Sequence, residues 1–150
     1  MALALLTPVP LEHLVDGEAV AASEGRVAFG SQAWEVFREL ERESGSDTPV
    51  LIYASHTGGL PNMKVTWRGN FLRYVESRGG AHPDGTRFRP PSTVEWHEDE
   101  ERYWAGFYEV ESLHRLDEEG QLRIADLRDR RGKRYGRGFV PEGPIIISAP

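Results

Sequence analysis

Tyr53, Trp67, Tyr74, Trp104, Phe107 and Tyr108 fall in three apolar stretches interleaved with Lys64, Arg68 and Arg73. Flat rings beside cations are the chemistry of base recognition. Stacking a base on an aromatic side chain is worth about 1–3 kcal/mol, and arginine adds phosphate contacts and cation–π attraction. The same rings suit a protein core, because aromatic side chains favour strands and bury well. The expectation is an edge pocket in which at least one ring meets the ligand. A second basic group, Arg130, Arg131, Lys133, Arg134 and Arg137, lies in the turn "RDRRGKRYGRG". Its glycines let backbone approach a phosphate chain, although an exposed hairpin tip has the same composition.

Other chemistries find less support. "SHTGGLPNMK" carries glycines and a lysine after a strand, but it lacks the G-x-x-x-x-G-K-[ST] spacing and no helical pattern follows it. His13, His56, His82, His97 and His114 are scattered without H-E-x-x-H spacing, and "HEDEE" at 97–101 reads as a solvated acidic run. No metal or other cofactor is expected. A G-x-S-x-G elbow is missing, and the absence of cysteine excludes thiol catalysis and disulfides.

The elements that must position the rings follow from periodicity. Strands are expected at 1–6, in "RVAFG" and in "VLIYASH", the last marked by β-branched and aromatic residues. Ser31 is the expected N-cap of a helix over 31–44, with Trp34, Phe37 and Leu40 on its apolar face. "TGGLPNM" is a loop, and "KVTWRGNFLRYVES" alternates, placing Lys64, Thr66 and Arg68 on one face and Val65 and Trp67 on the other. Gly69 marks a bulge or bend. Residues 78–92 are too rich in glycine and proline for regular structure and read as a functional or flexible loop. "RYWAGFYEVESLHRL" is the strongest strand, with Trp104, Gly106, Tyr108 and Val110 on one face and Tyr103, Ala105, Phe107 and Glu109 on the other. "QLRIADL" and "GFVPEGPIIIS" complete the set. Six or seven strands with one helix inserted early predict an α+β domain, a curled sheet or small closed barrel with the helix packed on it.

The 150 residues suffice for one domain with its own core, and neither a repeat nor a separating linker is visible. The apolar opening lacks a basic start and meets Pro8, Pro10, Glu12 and His13 too early for a signal peptide, and no run is long enough to span a bilayer. Cytoplasmic residence without membrane contact is the expectation. Among 18 basic residues only Lys64 and Lys133 are lysines, a bias that fits a GC-rich bacterial genome. The net charge of -6 argues against general nucleic-acid binding, yet residues 63–94 and 120–150 are basic while 1–62 and 95–119 are acidic. If the basic blocks meet in space, an acidic protein presents one basic face.

"VLIYASH" followed by a Gly/Pro loop, and later "YWAGFYEVESL", resemble the pattern of the PUA-like superfamily, in particular its EVE-type domains. The likeness covers residues 48–116 and extends to the closing "VPEGPIII". It implies a small bent β-barrel that reads nucleic acid, or a nucleotide-like ligand, through an aromatic pocket, with a modified base as its target. Trp67, Trp104 and Phe107 would then supply rings beside Tyr53, Ser55, His56 or Lys64 would bond base edges, and Arg68 would enter from the next strand. The opening "MALALLTPVP" departs from the pattern, which begins with a tryptophan-lysine strand. The related ASCH-type domains imply an alternative, an amidohydrolase acting on an acylated nucleoside, with Lys64 as base, Thr66 as nucleophile and Glu109 as proton shuttle. A cross-strand Lys64–Glu109 ion pair is the plain reading of those residues. A protein-interaction module using exposed aromatics is the third alternative.

Overall fold

The computed structural model describes residues 2–45, 47–59, 62–101 and 104–150, the side chains of Glu100 and Glu101 excepted. Strand β1 (Leu3–Pro10) runs directly into helix α1 (Leu11–Glu24), followed by β2 (Val27–Ser31), α2 (Trp34–Glu43) and β3 (Pro49–Ser55). Then come β4 (Lys64–Val65), β5 (Trp67–Glu76), α3 (Pro91–Glu95), α4 (Glu98–Glu101), β6 (Gly106–Arg115), β7 (Leu122–Arg123) and β8 (Ile145–Ser148). Six strands form one mixed sheet in the order β2-β6-β5-β3-β1-β8, and β4 pairs with β7 apart from it. The expected α+β class is observed. The sheet is open, with β2 and β8 as its edges, rather than a closed barrel.

β1 lies parallel to β3 over Leu5–Pro10 and antiparallel to β8 over Leu3–Leu6. β8 therefore ends before Pro8 and Pro10, whose missing N–H groups could not serve an outer partner. Alternation along β1 and β3 divides the core. Leu5, Val9, Val50 and Ile52 face α1 and α2, whereas Ala4, Leu6, Leu51 and Tyr53 face Ile124, Leu127 and Ile147. The sheet curls strongly, since Thr7 of β1 hydrogen-bonds the Tyr108 hydroxyl of β6 although β3 and β5 separate these strands.

Helix α1 is absent from the periodicity reading because its inner face is small. It buries His13, Leu14, Gly17 and Ala21, while Val15 is exposed. A Cβ on Gly17 would stand 3.3–3.4 Å from Phe29, Leu113 and Val27, so that face suits close packing rather than an apolar stripe. Helix α2 is found as expected with two corrections. It starts at Trp34, with Ser31 accepting the Ala33 N–H at 3.0 Å rather than capping the helix itself. Phe37 and Leu40 are buried, but Trp34 stays outside under Arg38.

The expected long strand after the Gly/Pro loop breaks at Thr66, which is buried and bonds Ile52 and Leu116 through its backbone. Lys64 and Arg68 are exposed and Val65 and Trp67 buried, but the latter two enter different halves of the core. Gly69 is the bulge that its sequence position suggests: the β5–β6 register shifts there, and a Cβ would stand 2.4 Å from Val110. Strand β6 alternates as expected over 106–110 and slips at Ser112, whose φ is 55°, so that Leu113 joins Tyr108 and Val110. Trp104 packs with Phe107 rather than on the face of Tyr108, and Tyr103 lies outside the described residues. Residues 78–92 are tied down, with His82, Phe88 and Arg89 buried against β2 and β6. Among the described residues no helix is long and apolar enough to cross a membrane.

Candidate functional site

A cleft of about 420 Å³ opens between the ends of β1 and β3, the end of β2 and the α3 segment. The curl of the sheet brings these together: Thr7 to Pro10 form one side, Phe29 to Gln32 another, and Glu142 to Pro144 the rim beside β8. Its volume is within the roughly 300–1,000 Å³ of small-molecule pockets.

Trp104 is seated by a chain of charged contacts. Its indole N–H donates to Asp99 Oδ1 at 3.0 Å, and Asp99 accepts two bonds from Arg89, at 2.8 and 3.1 Å. Arg89 donates a third bond to the Ala28 carbonyl at 2.8 Å and lies over the Phe107 ring. One face of Trp104 rests on Gly30, where a Cβ would come within 2.6 Å of the ring and displace it. Trp96, 38% exposed, donates its indole N–H to Glu12 at 2.9 Å. Its ring centroid is 4.4 Å from that of His13 and 5.9 Å from that of His56. With both N–H groups engaged by carboxylates, each indole is oriented in advance, and what it offers a ligand is ring surface. Burial holds the Tyr108 phenol above its ordinary pKa of 10.0, so this wall residue is a neutral hydroxyl.

His13 connects the cleft to the helices. Its Nδ1 is 2.7 Å from Ser92 Oγ and its Nε2, donating, is 3.1 Å from Glu98 Oε1. The order serine, histidine, carboxylate has the composition of a hydrolytic triad. Ser92, however, is 2% exposed and lies outside the cleft wall, and its backbone N–H donates to Asp16 of α1. It serves as a strut docking α3 on α1.

Of the residues expected from sequence, His56 and Trp104 line this cleft. Tyr53, Ser55 and His56 border a shallower hollow of about 260 Å³ beside it, with Tyr53 largely buried and Ser55 Oγ 3.1 Å from His56 Nδ1. His56 has a positive φ of 54°, which turns the chain out of β3 toward both hollows. Trp67 and Phe107 are core residues. Lys64 and Arg68 are exposed and line neither hollow.

Lys64, Thr66 and Glu109 do not converge, which corrects both the catalytic grouping and the Lys64–Glu109 pair. Lys64 is opposite Arg123 on β7. Glu109 lies six residues along β6 from Arg115, the partner of Trp67, roughly 20 Å at strand rise. Fully buried, Glu109 receives His82 Nε2 at 2.8 Å and Arg73 Nε at 2.8 Å, with Arg26 Nε at 3.0 Å. Burial pushes its carboxyl pKa up, but the bonds from His82 and Arg73 and the charges of Arg73 and Arg26 more than reverse this, leaving it below the ordinary value.

The basic turn also divides. Arg130 is held by Glu39 at 2.8 Å and Glu43 at 2.7 Å on α2, while Arg131, Lys133, Arg134 and Arg137 are exposed. Asp129 organises the turn by accepting the Arg131 and Lys133 N–H groups. The two basic blocks touch where Lys64 faces Arg123, yet Arg89 is the one cation of either block in the wall of the cleft among the described residues.

Sequence reasoning passed over His13, Arg89, Trp96 and Glu98. Trp96 and Glu98 lie in "TVEWHEDEE", where the tryptophan inside the acidic run was the available signal. No family model matches this chain, and no curated protein matches its sequence.

Proposed function

We propose that this chain is a PUA-like binding domain whose cleft holds a flat, base-like group of a nucleic acid or nucleotide, with a modified base as its target and without chemistry on the ligand. The observation that carries this reading is the pair of indoles, Trp96 and Trp104, each locked by its N–H to a carboxylate and both forming the wall of one pocket-sized cleft. Preset aromatic faces bind planar rings with little ordering cost. Ser31 and Gln32, which accept the Ala33 and Ala105 N–H groups, add polar side chains to the wall. The curled mixed sheet supports the PUA-like part of the reading, although its open edges at β2 and β8 depart from a closed barrel. Arg131, Lys133, Arg134 and Arg137 would meet backbone phosphates outside the cleft. A cytoplasmic setting belongs to the same reading.

The amidohydrolase alternative needs three residues that the fold holds apart. The interaction-module alternative would use the exposed Val15, Trp34, Leu72 and Val94, which carry no pocket comparable to the cleft. The test is a fluorescence and calorimetric titration of wild type and Trp104→Ala with single- and double-stranded oligonucleotides, with and without modified adenine or cytosine. Expected is a modification-dependent quench that the variant loses. A quench unchanged in Trp104→Ala, or no binding by any oligonucleotide, overturns the reading.

A further inference from the structure

We propose, resting on the base-binding reading above, that the cleft selects a base bearing a positive charge, of the kind that methylation of a ring nitrogen produces, and keeps phosphate outside. The ring faces and the charges of the wall point the same way.

Glu98 and Glu142 line the cleft, and Glu142 is exposed at its rim. Glu98 Oε1 accepts from His13, whereas its Oε2 is 3.9 Å from Arg89 Nη2, beyond hydrogen-bond reach. Arg89 is the one guanidinium in the wall among the described residues, and it is turned away from a ligand. Its side chain is 1% exposed, two of its nitrogens bond Asp99 and a third bonds the Ala28 carbonyl. Asp99 therefore offsets its charge. Both His13 ring nitrogens are engaged within the wall, by Ser92 and Glu98. What remains facing the cleft is carboxylate beside indole.

An anion entering there meets like charge in a partly desolvated site, while a cationic ring is attracted by the carboxylates and by the negative faces of the tryptophans. A neutral base gains the stacking alone. The exposed cations that suit phosphate lie elsewhere, so a strand could leave its backbone outside while one base enters.

Calorimetry at about pH 7 with 1-methyladenosine and N6-methyladenosine separates the two contributions, because these isomers stack similarly and only the first is a cation at that pH. The expected result is about tenfold tighter binding of the cationic isomer, with 7-methylguanosine likewise preferred over guanosine. Glu142→Gln, at an exposed rim position, should reduce that preference about threefold while leaving N6-methyladenosine unchanged. Equal or tighter binding of the neutral isomer overturns the charge selection and leaves base stacking standing. No binding of any of the four nucleosides, free or within a short single strand, overturns both.

Discussion

Two histidine–glutamate pairs in this protein are built from the same residue types and do opposite work. His82–Glu109, at 2.8 Å, has both side chains wholly inaccessible, and Arg73 and Arg26 complete the compensation of its charge. It clamps the 78–92 segment onto β6. His13–Glu98, at 3.1 Å, leaves the carboxylate 19% exposed in the wall of a cleft, next to an indole whose edge is already bonded. A pair sealed on every side offers a ligand nothing. One that ends at a cavity also sets the field that a ligand enters.

The largest expected effect breaks the sealed pair. Glu109→Gln leaves two guanidinium groups without their anion. It should cost about 2–4 kcal/mol, less than a fully buried pair because Arg73 and Arg26 keep solvent on their outer sides. That corresponds to a melting temperature lower by on the order of 10 °C for a domain of this size. Ligand affinity below the transition should be unchanged, and thermal melts with parallel calorimetry check both halves. The sign of the pH dependence follows from the lowered pKa. The unfolded carboxyl protonates first, near its ordinary value of 4.5, so the stabilisation is intact above that pH and is lost as pH falls through the lower folded value. The gap between wild type and variant should therefore close in acid, as melts across the range would record.

Trp104→Ala acts on the other region. It removes a stacking face and should weaken binding about 10- to 100-fold, whereas Trp34→Ala, on the outer side of α2, should not alter it. Ser92→Ala sharpens the distinction between strut and nucleophile. Losing the bond to His13 should cost about 1 kcal/mol of stability, with base affinity within about twofold of wild type. Loss of an ester- or amide-cleaving activity in that variant would instead make Ser92 a reacting group. The smallest effect concerns the exposed turn. Arg131→Ala with Lys133→Ala should lower the salt slope of oligonucleotide binding by about 1–2 and leave free-nucleoside affinity unchanged, whereas an unchanged slope removes the turn from the interface.

Trp104 and His56 stood out as a ring and a hydrogen-bonding group at the ends of strong strands, and both reach the cleft. Trp67 and Phe107 looked equivalent by type and period, but period-two alternation assigns a face of a strand and not what covers that face. In this fold α1 and α2 cover one and the 78–92 segment the other. Lys64, Thr66 and Glu109 shared neighbouring strong segments, yet the break at Thr66 and the β5–β6 register put them far apart. His13 is on a helix whose small inner face has no apolar periodicity to reveal it.

By itself the sequence determined the local elements: the β-branched strand at "VLIYASH", the Phe37–Leu40 helix, the bulge at Gly69 and the strong alternation of β6. These follow from short-range sterics and from the period of apolar residues, which a linear chain records directly. Tertiary structure alone decided that β1 lies parallel to β3, and that His13, Glu98 and Trp104 wall one cleft while Glu109 is sealed beneath the 78–92 segment. Those outcomes depend on the curl of the sheet and on which distant segment covers each face. Both are set by the packing of the whole chain, to which no single window of residues has access.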